Sequence, residues 1–151
     1  MARHAQSVHE ASAHWEGTLT EGSGQVASSS SGALKNLPIS WTSRTGGDAS
    51  QTTPEELLAA AHASCFAMAL SYELQGRNTP AESLDVTAAV GFDPKVGGGF
   101  EVSFSEISVK AKVPGISAED FATAVKEASE GCPLSAALKG NVEIIATGEL
   151  V

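Results

Sequence analysis

Residues 53–75 read TPEELLAAAHASCFAMALSYELQ, and no other stretch restricts the fold so strongly. Thr53 fits a helix N-cap, Pro54 the first helical position, and Glu56 the position three residues after the cap. Glu55 and Glu56 put negative charge in the first turn, where the helix dipole favours it. From Leu57 to Leu70 no residue is charged, and only His62, Ser64 and Cys65 interrupt an Ala-rich apolar surface. A helix apolar on nearly every side is surrounded by protein. The stretch therefore predicts a long buried central helix, with Ala side chains that let sheets and a neighbouring helix come close.

The rest of the chain must supply those surroundings. Its 151 residues suit one domain, 1–151, since domains commonly run to about 100–150 residues. Residues 1–11 are mostly polar and aperiodic and predict a flexible tail. Aromatics are only 5% of the chain, so much of the core must be Ala, Val, Leu and Ile. The formal charge of −9, from 9 basic and 18 acidic residues, argues against nucleic-acid or anionic-membrane partners, which favour a basic surface. No run is read as approaching the ~20 apolar residues of a membrane span. The N-terminal residues lack an apolar signal region, which predicts a cytoplasmic protein. His4, His9 and His14 recur every five residues, matching neither helix nor strand, and no metal site is predicted.

Taken in order, residues 13–30 suit a hairpin, with its turn at Gly22 to Gly24. Ile39 to Arg44 alternates apolar and polar residues and predicts a strand ended by Arg44. Gly46, Gly47 and Asp48 form a loop, not a phosphate loop, because no Gly-Lys-Ser/Thr follows. Residues 83–91 and 100–113 predict two strands joined by a turn at Gly97-Gly98-Gly99. In the second strand the alternation slips at Ser105-Glu106, which predicts a bulge. Ser117 and Asp120 mark the start of an amphipathic helix with Phe121, Ala124, Val125 and Ala128 on one face. Cys132-Pro133 opens a short third helix that Gly140 ends, and residues 142–147 form a last strand. The order is that of an α+β fold.

Two cysteines are present, Cys65 and Cys132. Pro133 at a first helical position makes Cys132 an N-cap, where unpaired N–H groups and the dipole stabilise thiolate. A Cys that merely replaces Ser as a weak cap is an equally weighted reading. Cys65 has no such local help, and a cysteine mid-way along a buried helix is usually inert. His62 precedes it by three residues, about 60° around the helix, which raises a Cys–His pair; a satisfied core histidine is the commoner outcome. Glu55 lies about 15 Å from Cys65 along the axis. If the two cooperate, Glu55 acts from a second chain packed antiparallel, or from a distance.

Four segments together resemble the OsmC/Ohr family, the osmotically inducible and organic-hydroperoxide-resistance proteins: AHWEG at 13–17, TPEELLAAAHASCFAMAL at 53–70, VPGI at 113–116 and GCPLS at 131–135. The resemblance implies an OsmC-like fold, in which antiparallel sheets wrap two long central helices in an intertwined homodimer. It implies metal-free, haem-free reduction of organic hydroperoxides and, more weakly, hydrogen peroxide, in stress defence, with no bound cofactor. By this resemblance Cys65 is the peroxidatic thiol and Cys132 the resolving thiol. Arg44 matches the OsmC branch and Glu55 its acidic partner. Arg44 would then favour the Cys65 thiolate, Glu55 would hold the guanidinium, and the Cys65–Cys132 disulfide would be reduced by an external dithiol, lipoyl-linked in the Ohr branch. Arg44 and Glu55 of one chain are expected to serve Cys65 of the other. The rival readings are a non-catalytic stress protein that holds a small apolar ligand in the dimer groove, and a Cys–His hydrolase that uses His62.

Overall fold

The computed structural model describes residues 4–151. The chain divides into two compact units, Met1–Pro54 and Glu55–Val151. In the first, residues 4–10 carry no helix or strand and are exposed; residues 1–3 of the expected tail lie outside the described residues. Strands β1 (Ala11–Glu16) and β2 (Ser23–Ser28) pair antiparallel, and β3 (Leu37–Ile39) adds to β2. The hairpin turn lies earlier than its glycines suggested. Gly17 turns the chain at φ 88°, and the Gly22 N–H donates to the Thr18 carbonyl at 2.8 Å. Gly24 belongs to β2, where a Cβ would lie 2.3 Å from the His14 carbonyl oxygen.

The strand expected over Ile39 to Arg44 stops at Ile39, and residues Trp41–Arg44 form the short helix α1. Serine chemistry overrides the short alternation. The Ser43 N–H donates to Ser40 Oγ at 3.0 Å and the Ser40 N–H to Ser43 Oγ at 3.2 Å, a reciprocal cap. Arg44 therefore ends a helical turn rather than a strand.

In the second unit helix α2 spans Pro54–Gly76, close to its predicted bounds. Strands β4 (Ser83–Pro94) and β5 (Phe100–Lys112) pair antiparallel. Helices α3 (Ala118–Gly131) and α4 (Pro133–Leu138) then lead to β6 (Glu143–Leu150). β6 runs parallel to β5, giving the order β4-β5-β6 and correcting the wholly antiparallel sheets expected. Two intervening helices supply the crossover that a parallel pair needs. The bulge exists but sits at Ser103-Phe104, opposite Gly91. A Cβ at Gly91 would lie 2.4 Å from the Phe104 ring, so a side chain there would have to displace that ring.

Beyond the bulge, Ser105, Ile107, Val109 and Ala111 alternate onto the buried face of β5. Ile107, Val109 and Ala111 share one core with Phe66, Leu70 and Leu74 of α2 and with Phe121, Ala124, Val125 and Ala128 of α3. On α2 the buried residues recur every four: His62, Phe66, Leu70 and Leu74. The opposite face is open in the single chain, with Met68 69% and Tyr72 77% exposed. By length and composition α2 would also reach across a membrane, which corrects the expectation that no stretch comes near that length. Its core-facing stripe gives the helix a packed role within this unit.

Candidate active site

Cys65 and Cys132 are far apart in sequence but meet in space. Cys65 lies half-buried on α2, three residues past His62 and one before Phe66, so the stripe that anchors the helix in the core also fixes its rotation. Cys132 sits between α3 and α4 and is fully buried. Its N–H continues α3 by donating to the Ala128 carbonyl at 2.9 Å, while Pro133 occupies the first position of α4. The same residue thus ends one helix and starts the next, which gives its side chain little freedom. The two sulfurs are 3.3 Å apart, and both are free thiols. A disulfide requires about 2.05 Å, so closure needs only a small approach.

The two thiols differ in charge preference. Burial opposes thiolate at Cys132, but the N–H and hydroxyl of Ser135, the Cys65 thiol and the N–H of Leu134 together bring its pKa below the ordinary thiol value. No full capping hydrogen bond forms to the Cys132 side chain; the donors at the start of α4 act on the sulfur as oriented dipoles. Burial pushes Cys65 the other way, above its ordinary value. The Leu134 N–H opposes that, while the hydrogen bond and negative charge of Cys132 reinforce it. Proximity to α4 therefore favours Cys132 as the thiolate of the pair, in the sense that its N-cap position predicted.

His62 is fully buried. Its Nδ1 lies 2.6 Å from Ser105 Oγ and its Nε2 2.8 Å from Ser135 Oγ. Burial holds its pKa below the ordinary histidine value, so the ring is neutral. With both nitrogens engaged by serines, His62 is a satisfied core histidine and is not paired to Cys65, so a Cys–His hydrolase has lost its base. Ser105, Ser135 and the Leu134 N–H were not singled out from the sequence. Ser105 falls on the buried alternation of β5, and Ser135 stands three residues after a capping cysteine; both signals were present but carried no chemistry until His62 joined them.

Beside Cys65 a groove of about 490 Å³ is lined by Met68, Ala69, Tyr72, Gly131 and Pro133, among others. Its walls suit an apolar molecule that reaches the Cys65 sulfur. Glu55 is 7% exposed in the first turn of α2. Ten residues of continuous helix, about 15 Å of rise, keep it from Cys65 of its own helix. Arg44 belongs to the first unit, where with Trp15, Ile39 and Trp41 it borders a cavity of about 310 Å³. Of the four candidate site residues, the second unit brings together Cys65 and Cys132. Among the described residues no group of three or more His, Cys, Asp or Glu is arranged to hold a metal ion.

Comparison with known proteins is decisive for the family. The OsmC-like protein family model matches residues 46–147. The chain belongs to the OsmC-like family. It is 41% identical over 132 residues to the peroxiredoxin OsmC of Escherichia coli strain K12, spanning 87% of this chain and 90% of that one. It is 34% identical over 105 residues to an organic hydroperoxide resistance protein of Xanthomonas axonopodis pv. citri, spanning 68% of each. Among solved structures, an organic hydroperoxide resistance protein OsmC from Legionella pneumophila superposes with a TM-score of 0.75 at 27% identity, covering 97% of this chain and 99% of that one. The resemblance read from the four sequence segments is borne out, and with it the α+β OsmC-like fold.

Proposed function

We propose that this OsmC-like protein is a thiol peroxidase that reduces organic hydroperoxides, and hydrogen peroxide more weakly. The observation that carries the reading is the pair of free thiols 3.3 Å apart at the edge of an apolar groove. Relatives named peroxiredoxin and organic hydroperoxide resistance protein support it. In the proposed cycle the Cys65 thiolate attacks the distal peroxide oxygen. The O–O bond breaks, the alkoxide takes a proton and leaves as alcohol, and Cys65 becomes a sulfenic acid. Cys132 attacks that sulfur, water leaves, and a Cys65–Cys132 disulfide forms. An external dithiol, of the lipoyl-linked kind or another, returns both thiols by exchange.

The Cys65 pKa gives this cycle a requirement. A thiol that burial and an adjacent thiolate push upward needs a cation to attack at neutral pH. Arg44 is the residue assigned that part, with Glu55 holding its guanidinium by a charge-assisted pair. Because Glu55 is about 15 Å along the helix from its own Cys65, Arg44 and Glu55 are assigned to Cys65 of a second chain. The open face of α2, with Met68 and Tyr72, supports a homodimer built on that helix.

The test is turnover of cumene hydroperoxide with a dithiol. The native chain should consume peroxide and, after one equivalent, lose two hydrogens in a bridge between Cys65 and Cys132. Cys65→Ser should abolish turnover. Mixing Cys65→Ser with Arg44→Ala chains should restore part of it if the residues act across two chains. Peroxide consumption unchanged in Cys65→Ser would overturn the assignment.

A further inference from the structure

The groove beside Cys65 has a direction. Cys65, Met68, Ala69, Tyr72 and Glu73 of α2 form one of its walls, and their spacing is that of a single stripe along a helix. Glu73 lies eight residues beyond Cys65, about 12 Å of helical rise. A thiol therefore stands at one end of the wall and a carboxylate at the other. Met68, Ala69 and Tyr72 between them are uncharged, and the facing wall of Ala128, Gly131 and Pro133 carries no charge either. Among the described residues that line the groove, Glu73 is the one Asp, Glu, Lys or Arg.

Glu73 is held in place. Arg77, one turn further along α2, donates from Nη1 to Glu73 Oε2 at 3.2 Å and from Nη2 to Glu127 Oε2 of α3 at 2.5 Å. One guanidinium shared by two carboxylates steadies the Glu73 side chain and leaves one negative charge uncompensated. Arg77 itself borders a separate cavity with Thr79 and Asp120, so the groove meets the carboxylate and not the cation. We propose that Glu73 is a specificity-determining residue: the groove admits hydroperoxides whose apolar body runs along α2, and it disfavours those with an anionic group about 12 Å from the reacting oxygen.

The consequence for hydroperoxides rests on the peroxidase reading above, whereas the charge selection applies to any apolar molecule that approaches Cys65. A hydroperoxide whose O–O group meets the sulfur lays its tail over Met68, Ala69 and Tyr72. An alkyl or ester end at Glu73 loses little there. A carboxylate in the same place gives up water beside a like charge, and both effects oppose binding. The second chain proposed to cover the open face of α2 would roof the groove, exclude water and deepen that repulsion. Distance matters as much as sign. A carboxylate close to the reacting end is separated from Glu73 by more than the Debye length of about 8 Å at physiological salt, and is largely screened.

The experiment alkylates Cys65 as the one thiol of full-length Cys132→Ser chains. The long probes are maleimidohexanoic acid, whose carboxylate reaches toward Glu73, and its methyl ester. The short probes are maleimidoacetic acid, whose carboxylate stays near the thiol, and its methyl ester. The quantity read is the acid-to-ester ratio of alkylation rates, in which any change in the Cys65 thiolate cancels. Glu73→Gln, which keeps an oxygen for Arg77, should raise the long-probe ratio about tenfold, as loss of a like charge a few Å away implies. The short-probe ratio should move by less than about twofold. Glu73→Lys should raise the long-probe ratio further. A long-probe ratio that stays within about twofold of its native value in Glu73→Gln, or an equal change for both probe lengths, would overturn the proposal. With both cysteines present, the ninth-carbon hydroperoxide of linoleic acid should be consumed more slowly than its methyl ester, and Glu73→Gln should narrow that gap. A gap that Glu73→Gln leaves unmoved would overturn the selection among hydroperoxides. Chains that consume neither peroxide while the maleimide ratio moves as expected would instead sink the peroxidase reading and leave the charge selection standing.

Discussion

Two sulfurs at contact distance have their pKa values pushed in opposite directions, Cys65 upward chiefly by burial and Cys132 downward by the donors at the start of α4. The Cys132 preference was legible in the sequence, because a proline directly after a cysteine reports a helix start and its N–H donors. The rise at Cys65 was not, since it depends on burial and on a neighbour far along the chain. His62 also carries a consequence for pH. Burial keeps it neutral in the folded chain, whereas unfolded it takes a proton near its ordinary value of 6.5. Below that value the unfolded chain binds more protons, so this contribution is intact above pH 6.5 and is lost as pH falls through the folded pKa. The urea midpoint of the native chain should therefore drop further between about pH 7.5 and about pH 5 than that of His62→Gln. Equal drops would show that the ring carries no such penalty.

Helices proved more legible than strands, for identifiable reasons. The Thr53-Pro54, Ser117 and Cys132-Pro133 starts each sit before a periodic apolar run, so local chemistry and tertiary packing agree. Ser40 and Ser43 broke that agreement by capping a turn inside an alternating segment. The bulge was displaced because alternation shows that a slip occurs, while Gly91 across the ladder decides where the extra residue fits. The parallel β6 follows from two helices between strands, a topological cue rather than a residue pattern. On α2 the stripe every four residues carries the packing. Leu70 is fully buried between α2 and the sheet, so Leu70→Ala should cost about 2–5 kcal/mol, read as a lower urea midpoint with unchanged slope. A loss below about 1 kcal/mol would mean that the core can collapse around the gap.

For the whole molecule the open face of α2 is the feature the sequence half revealed: a helix apolar on nearly every side was legible, but not which side one chain leaves uncovered. Under the proposed homodimer the 15.4 kDa chain should sediment at about twice its mass, and Met68→Asp should shift it toward the monomer while its α-helical circular dichroism persists. A native chain that sediments as a monomer would remove the two-chain assignment of Arg44 and Glu55. The nearness of the two sulfurs has one more effect. A bond between them would staple segments 67 residues apart, and a loop of that length restricts the unfolded chain by about 4 kcal/mol in the chain-entropy account. The oxidised protein should then melt at a higher temperature than the reduced one. Heating curves would read the redox state without a dye: peroxide stiffens the molecule, the dithiol loosens it, and resting toughness records which reagent arrived last.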